Sequence, residues 1–148
     1  MTDIDLAGQI ESRQSTSGYL LFVNGVIVHF HGRTERLVLS ATAAGEYVAF
    51  SRGNTACKFV REVLTFFGNP RTPYHLYTDN QACEDITTKP TMTEHSRTID
   101  IRHHGVRQDY INKDAKVGGI KSKDNHSDII TKQLPPHLHA IRPPLILF

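Results

Sequence analysis

The chain has 148 residues and a formal net charge of +2, with 17 Lys and Arg against 15 Asp and Glu. A chain of this length folds as one domain that buries roughly two-thirds of its unfolded surface. No apolar run approaches the ~18 residues of a spanning helix, and the N-terminus lacks the pattern of a signal peptide. These features, with a mean hydropathy of -0.35, exclude an integral membrane protein and predict an intracellular one. The weakly basic charge permits a polyanionic partner without requiring one.

Cysteine and histidine spacing gives little support for a zinc site or a disulfide framework. Cys57 and Cys83 are the two cysteines, and their wide separation predicts two buried thiols. His29 and His31 would share one face of a strand, and a second such pair occurs at 137–139. Spacing places no third ligand near either pair, so zinc is not the metal that we expect.

A β-hairpin is predicted at residues 18–30, GYLLFVNGVIVHF. Asn24-Gly25 joins two β-rich runs, and this dipeptide tolerates the positive φ angles of a two-residue turn. The apolar run at 37–40 is expected to continue the sheet.

A long helix is predicted next, ending at Gly68-Asn69-Pro70. Apolar residues at spacings of three and four predict one face that packs on the core; they are Ala56, Phe59, Val60, Val63, Leu64 and Phe67. Counting back along this stripe reaches Glu46, which predicts an acidic side chain on the core-packing face.

The second half of the chain alternates short strands and helices. We predict a strand at Tyr74–Thr78, a helix at 80–86, a polar helix at 95–111, a weak strand at 117–120 and a short helix from Ser127 that Pro135-Pro136 ends. The element order predicts a single α/β or α+β domain.

Four carboxylates lie near the ends of predicted elements: Asp3, Glu46, Asp79 and Asp128. Oxygen ligands from separate elements suit hard divalent cations, and such a cluster is typical of two-metal phosphoryl-transfer sites. Each acid also has a structural alternative. Asp79 and Asp128 could serve helix N-termini, with Ser127 an equally good cap for the last helix. Glu46 could favour a helix dipole, Asp3 could be a terminal residue, and Asp5 is its nearest rival.

Five strings resemble, in the same order, the ribonuclease H domain that ends the polyprotein of copia-type LTR retrotransposons. They are DLAGQIESRQSTSGYLLFVNG, VLSATAAGEYVAFS, LYTDNQAC, HSRTIDIRHHGVRQ and HSDIITKQLP. The resemblance covers residues 3–136 and implies an α/β ribonuclease H-like fold, a mixed five-stranded sheet with flanking helices. It predicts a domain at 1–136 and a divergent C-terminal tail at 137–148.

The resemblance also implies a metal-dependent endonuclease that cleaves the RNA strand of an RNA–DNA hybrid. In it, Asp3, Glu46, Asp79 and Asp128 would hold two Mg²⁺ or Mn²⁺ ions, with Asp3 and Asp79 as shared ligands. Water would attack the scissile phosphate in line, without a covalent enzyme intermediate. Contacts to the nucleic-acid backbone are expected from Arg13, Ser15, Thr16, Asn80, Gln81, Arg97, Arg102 and Arg107.

The chain departs from the family pattern in several places, and other functions stay open. Only two residues precede Asp3, which predicts a truncated first strand, and a glycine pair at 118–119 replaces strand-forming residues. The alternatives are an inactive or co-opted retroelement remnant that binds nucleic acid or protein, and an integrase-like strand transferase. Reverse transcriptase and other parts of a parent polyprotein are further expected partners, in the cytoplasm within virus-like particles or in the nucleus.

Overall fold

The computed structural model describes residues 2–5, 16–34, 42–89 and 105–132, with side chains described from residue 16 onward except at 42–45. In chain order the elements are β1 (Thr2–Asp5), β2 (Thr16–Val23), β3 (Val26–Thr34), α1 (Thr42–Phe66), β4 (Tyr74–Thr78), α2 (Gln81–Thr88), α3 (Gly105–Ile111), β5 (Ala115–Gly119), a 3-10 turn (Ser122–Asp124) and α4 (Asp128–Thr131). In this part of the chain, no helix has the length and apolar character needed to cross a membrane.

The five strands form one mixed sheet in the order β3-β2-β1-β4-β5. The first three strands pair antiparallel, whereas β1 with β4 and β4 with β5 pair parallel. The predicted mixed five-stranded sheet with flanking helices is therefore confirmed. The strand nearest the N-terminus occupies the centre of the sheet.

Strand β1 is short but makes contact on both sides. Thr2 lies opposite Tyr19 of β2 and also opposite Thr78 of β4. All four residues of β1 pair with β2, whereas Thr2 is the one position paired with β4. A first strand therefore forms at Thr2–Asp5, and its pairing with both β2 and β4 connects the two halves of the sheet.

The hairpin is confirmed, with its turn at the predicted dipeptide. Asn24 and Gly25 have φ angles of 51° and 84°, the left-handed conformations that a tight two-residue turn requires. A register shift between Leu21 and Phe22 marks a β-bulge in this ribbon. The predicted continuation of the sheet at 37–40 lies outside the described residues.

The long helix is confirmed, but the face predicted to be buried is wrong for its C-terminal half. Phe59 is 70% exposed and Phe67 is 75% exposed. The side that packs on the sheet instead carries residues spaced by three and four: Tyr47, Phe50, Asn54, Cys57 and Arg61. This side also includes Ala49 and Glu46, so the predicted burial of the acid is confirmed.

Two polar residues within the buried side explain the error. Asn54 donates from Nδ2 to Oδ2 of Asp109 over 2.7 Å. Arg61 donates from Nη1 to Oδ1 of Asp114 over 2.8 Å. A polar group can be buried when it is hydrogen-bonded, and both partners lie more than fifty residues away in sequence. A stripe defined by apolar residues alone therefore selected the wrong side of this part of the helix.

The second half of the chain follows the predicted order. Strand β4 has the predicted limits, α2 and β5 occur where expected, and α3 falls inside the predicted polar helix. The last helix is shorter than predicted: it ends at Thr131, and Lys132 is its C-cap. Residues 90–104 and 133–148 lie outside the described residues, and so do the tail and the domain boundary.

The core lies between α1 and the sheet. Its largest cluster consists of Phe50, Leu76, Val106 and Ala115. A second cluster joins Tyr47 to Cys83 and Ile86 of α2. Both cysteines are free thiols, with Cys83 fully buried and Cys57 half-buried. Burial raises the pKa of the Cys57 thiol to about 11, which keeps it protonated at neutral pH.

Helices α1 and α4 lie on opposite faces of β2. Arg52 of α1 donates to the hydroxyl of Ser17 over 3.0 Å. A Cβ added at the next residue, Gly18, would lie 2.9 Å from Cγ2 of Thr131 in α4. Successive strand residues point to opposite faces, so the two helices enclose β2 from both sides. The absence of a side chain at Gly18 allows the close approach of α4.

Candidate active site

The sequence offered Asp79, at the junction between β4 and α2, either as a helix cap or as a metal ligand. In the structure the capping role belongs to the next residue. Asn80 is the N-cap of α2, and its Oδ1 accepts hydrogen bonds from the backbone amides of Ala82 and Cys83. Asp79 lies one residue earlier, directly after β4. Capping therefore does not account for Asp79, and this position presents a carboxylate at the end of a parallel strand.

The sheet register brings Asp3 next to this junction. Because Thr2 and Thr78 are partners on parallel strands, the residue that follows each of them is Asp3 on β1 and Asp79 after β4. The backbone of Asp3 also pairs with Gly18 on the other side. Its side chain lies outside the described residues, so the evidence for Asp3 is its position in the central strand.

Glu46 approaches the same region from α1. Its side chain is buried, with 7% of the residue exposed, and α1 packs against both β1 and β4. Burial raises the pKa of the Cys83 thiol, and the negative charges of Glu46 and Asp79 raise that pKa further. Both carboxylates therefore lie near one buried thiol at the start of α2.

Asp128 is the first residue of α4 and is buried, with 8% exposed. Its Oδ1 accepts a hydrogen bond from Nζ of Lys132, one helical turn later, over 2.7 Å. Ser127 occupies the N-cap position without a capping side-chain bond, because its hydroxyl donates to Oδ1 of Asn125. The predicted alternative in which Ser127 caps this helix through its side chain is wrong.

Metal binding at this site stays a prediction. Among the described side chains, no group of three His, Cys, Asp or Glu residues stands close enough to hold an ion. Glu46, Asp79 and Asp128 are among the described side chains, whereas the side chain of Asp3 is not. The donor chemistry itself fits, since carboxylate oxygens from separate elements suit Mg²⁺ or Mn²⁺.

The histidine pair at 29 and 31 lies elsewhere, on β3. His29 and His31 stack against the ring of Tyr19, with ring centroids 5.6 and 5.7 Å from that of Tyr19.

Half of the predicted nucleic-acid contacts lie in the described part of the chain. Thr16 begins β2, Asn80 caps α2, and Gln81 is exposed and donates to Oδ1 of Asp85 over 3.0 Å. Arg107 is half-buried on α3. Arg13, Ser15, Arg97 and Arg102 lie outside the described residues.

Lys132 is a residue of this site that the sequence analysis missed. Its ammonium group offsets the charge of Asp128 at the beginning of α4. The signal was present, because an acid followed four residues later by a lysine is a favourable helical pair.

The mixed five-stranded sheet with helices on both faces is the architecture that the resemblance to ribonuclease H domains implied. Its sequence is similar to a stretch of retrovirus-related Pol polyproteins from transposons. It is 28% identical over 134 residues to the "Retrovirus-related Pol polyprotein from transposon TNT 1-94" of Nicotiana tabacum, covering 90% of this chain and 10% of the relative. It is 22% identical over 134 residues to the Pol polyprotein from transposon RE1 of Arabidopsis thaliana, covering 90% and 9%.

The chain thus spans about a tenth of the length of the curated relatives it matches. No family model matches it. Among solved structures it is similar to a ribonuclease H1 from the halophilic archaeon Halobacterium salinarum, with a TM-score of 0.49 and 18% identity. That similarity covers 80% of this chain and 83% of the archaeal one.

Proposed function

We propose that this chain is a nuclease domain that cleaves the RNA strand of an RNA–DNA hybrid with the help of divalent cations. The observation that supports it best is the register of β1 and β4, in which Asp3 and Asp79 follow the paired residues Thr2 and Thr78. Glu46 adds a buried carboxylate from α1, and Asp128 adds one from α4. Four separate elements would thereby contribute acids to one end of the central strands.

The charges in this region argue for cations as part of the site. Lys132 offsets Asp128, while the charges of Glu46 and Asp79 both act on the Cys83 thiol. A phosphate backbone would be repelled by this set of carboxylates unless cations lay between them. Bound Mg²⁺ would supply that neutralisation and would activate water toward the scissile phosphate. The protein would contribute rigid placement, through Asn80 at the start of α2 and through β1 at the sheet centre.

The test is cleavage of a labelled RNA–DNA hybrid by the purified chain, with magnesium and with a chelator, alongside duplex DNA and duplex RNA. We expect magnesium-dependent cleavage of the RNA strand and a loss of about 100-fold or more in Asp79→Asn and Glu46→Gln. Glu62→Gln is the matched control, because Glu62 is half exposed and lies about 24 Å along α1 from Glu46.

Each contrary result has a clear meaning. Binding of the hybrid without cleavage by the folded chain would contradict the nuclease and favour a co-opted binding domain. Cleavage or strand transfer on duplex DNA alone would favour the integrase-like alternative. Cleavage that persists in Asp79→Asn would remove the proposed site from the reaction.

A further inference from the structure

Strands β4 and β5 expose two aromatic rings and a lysine on the face of the sheet that points away from α1. Leu76 and Ala115 are buried in the core cluster that includes Phe50 of α1. Successive strand residues point to opposite faces, so the other face carries His75 and Tyr77 of β4 and residue 116 of β5. Helix α4, on that side of the sheet, packs against β1, β2 and β3. Tyr77 is 38% exposed.

The register of the two strands brings these side chains together. His75 lies opposite Lys116, and Tyr77 lies opposite Gly118. Neighbouring strands stand about 4.8 Å apart, so Lys116 borders the two rings. Atoms Cδ1 and Cε1 of Tyr77 lie 3.7 and 3.5 Å from the position that a Cβ of Gly118 would occupy. The ring of Tyr77 therefore extends over β5 at the glycine.

The rings of His75 and Tyr77 stack on this face and form an aromatic platform. Their centroids lie 6.1 Å apart and their planes differ by 22°. Oη of Tyr77 lies 3.4 Å from Nδ1 of His75. Both side chains are exposed, in contrast to Tyr74 on the other face, which packs against the core cluster. Two exposed and nearly parallel rings offer a surface on which a further planar group can stack.

The charge beside the aromatic platform favours an anionic ligand. Lys116 is exposed, and the strands β4 and β5 themselves contain no Asp or Glu. Proteins that bind single-stranded nucleic acids combine aromatic rings that stack on bases with cations that contact phosphates. The platform and Lys116 together therefore have the chemistry that a nucleotide requires.

We propose that the aromatic platform of His75 and Tyr77 stacks on an unpaired base of a nucleic-acid strand, with Lys116 contacting the phosphate. The choice of a nucleic acid as ligand rests on the proposed function. Bases inside a duplex already stack on their neighbours, so the ligand is a single-stranded segment and not the hybrid itself. Asp79 follows Tyr77 by two residues, about 6.6 Å along an extended chain. An unpaired strand bound here would lead to the candidate active site.

The experiment measures binding of the full chain to two labelled single-stranded probes in the presence of a chelator. One probe is an oligodeoxyadenylate, and the other has the same sugar-phosphate chain without bases. We expect the base-bearing probe to bind about tenfold or more tightly. Tyr77→Ala should abolish this difference, whereas Tyr77→Phe keeps a ring and should retain it. Lys116→Ala should weaken the binding of both probes alike.

Phe59→Ala is the matched control, because Phe59 is also an exposed aromatic residue but lies on α1. This variant should bind both probes as the wild type does. Thermal unfolding checks that each variant is folded. His75→Ala removes the other ring and should also reduce the preference for bases, which keeps the proposal falsifiable if Tyr77→Ala does not fold.

The outcomes separate this proposal from the nuclease. Equal binding of the two probes by the wild type, no binding of either, or a base preference that persists in Tyr77→Ala would overturn the platform. Equally tight binding of a blunt duplex would also contradict it, because a duplex offers no unpaired base. A chain that prefers bases but does not cleave the hybrid contradicts only the nuclease. Cleavage of the hybrid without any base preference contradicts only the platform.

Discussion

Gly18 of β2 and Thr131 of α4 meet at a distance that leaves no room for a side chain between them. A Cβ at residue 18 would lie 2.9 Å from Cγ2 of Thr131 and 3.1 Å from the carbonyl oxygen of His31. Gly32 of β3 also contacts the neighbouring Ile130 closely. These two glycines form the flat surface on which α4 rests, and α4 carries Asp128.

Gly18→Ala should therefore destabilise the protein by about 1–3 kcal/mol, because the added methyl overpacks this contact. Urea unfolding measures the loss of stability. The rate of hybrid cleavage should also fall, because a shift of α4 would displace Asp128. Gly105→Ala is the control, since nothing lies within 4 Å of that position. Addition of Thr131→Ser, which removes Cγ2, should restore part of the stability of Gly18→Ala. Equal stability of the two alanine variants would contradict the close packing.

Asn80→Ala should lower the stability by about 0.5–2 kcal/mol, because two amides of the first turn of α2 lose their acceptor. Asn80→Ser retains a capping oxygen and should lose much less. Chemical unfolding of both variants distinguishes capping from bulk effects of the substitution. If serine is as damaging as alanine, the cap is not the main contribution of Asn80.

Asp109→Asn should reduce stability by about 2 kcal/mol at pH 7, because a charged acceptor is lost from a buried network. The carboxylate accepts hydrogen bonds from Asn54, Lys58 and Tyr74. Burial acts to raise the pKa of Asp109, but these bonds and the charge of Lys58 outweigh burial and hold the pKa below its ordinary value.

The pH dependence of this effect has a definite sign. A carboxyl group whose pKa is lower in the folded state stabilises the fold fully above its unfolded pKa, about 3.9. That stabilisation disappears as the pH falls through the folded pKa. The stability gap between the wild type and Asp109→Asn should therefore narrow below about pH 4. Exposed Asp124 provides the control variant, Asp124→Asn, and a gap that stays constant down to pH 2 would contradict the lowered pKa.

Phe50→Ala and Phe59→Ala test which side of α1 packs on the sheet. Phe50 is fully buried and Phe59 is 70% exposed. Removal of the buried ring should cost about 3–5 kcal/mol, whereas removal of the exposed one should change stability by no more than about 0.5 kcal/mol. Thermal or urea unfolding checks both. Similar losses of stability in the two variants would instead support burial of the apolar side of α1 that was predicted from the sequence.

Local signals in the sequence predicted most of the elements. The Asn24-Gly25 turn and the limits of β4 depend on residues that are neighbours in sequence, and the structure confirms both. The exposed side of α1 could not be predicted this way, because burial of Asn54 and Arg61 depends on Asp109 and Asp114 far along the chain.

In the candidate site too, local sequence patterns predicted some features, whereas others depend on tertiary structure. The order of motifs singled out the four acids, but the sequence offered Asp79 as the cap of the helix, whereas the structure places the cap at Asn80. The juxtaposition of Asp3 with Asp79 depends on which strands become neighbours, and no local pattern carries that information. The close packing of α4 against Gly18 likewise depends on tertiary structure and not on a local pattern.

The central place of β1 has a consequence for the order in which the molecule folds. The β2–β3 hairpin and the helical turns close over short distances in sequence and can form within microseconds. The pairing of Thr2 with Thr78 joins parts of the chain separated by the hairpin and the whole of α1. Such non-local contacts form late, because the entropy cost of closing a long loop must be met before the contacts can stabilise the chain. The acids of β1 and β4 come together only at that step, so a partly folded or still emerging chain has no assembled site.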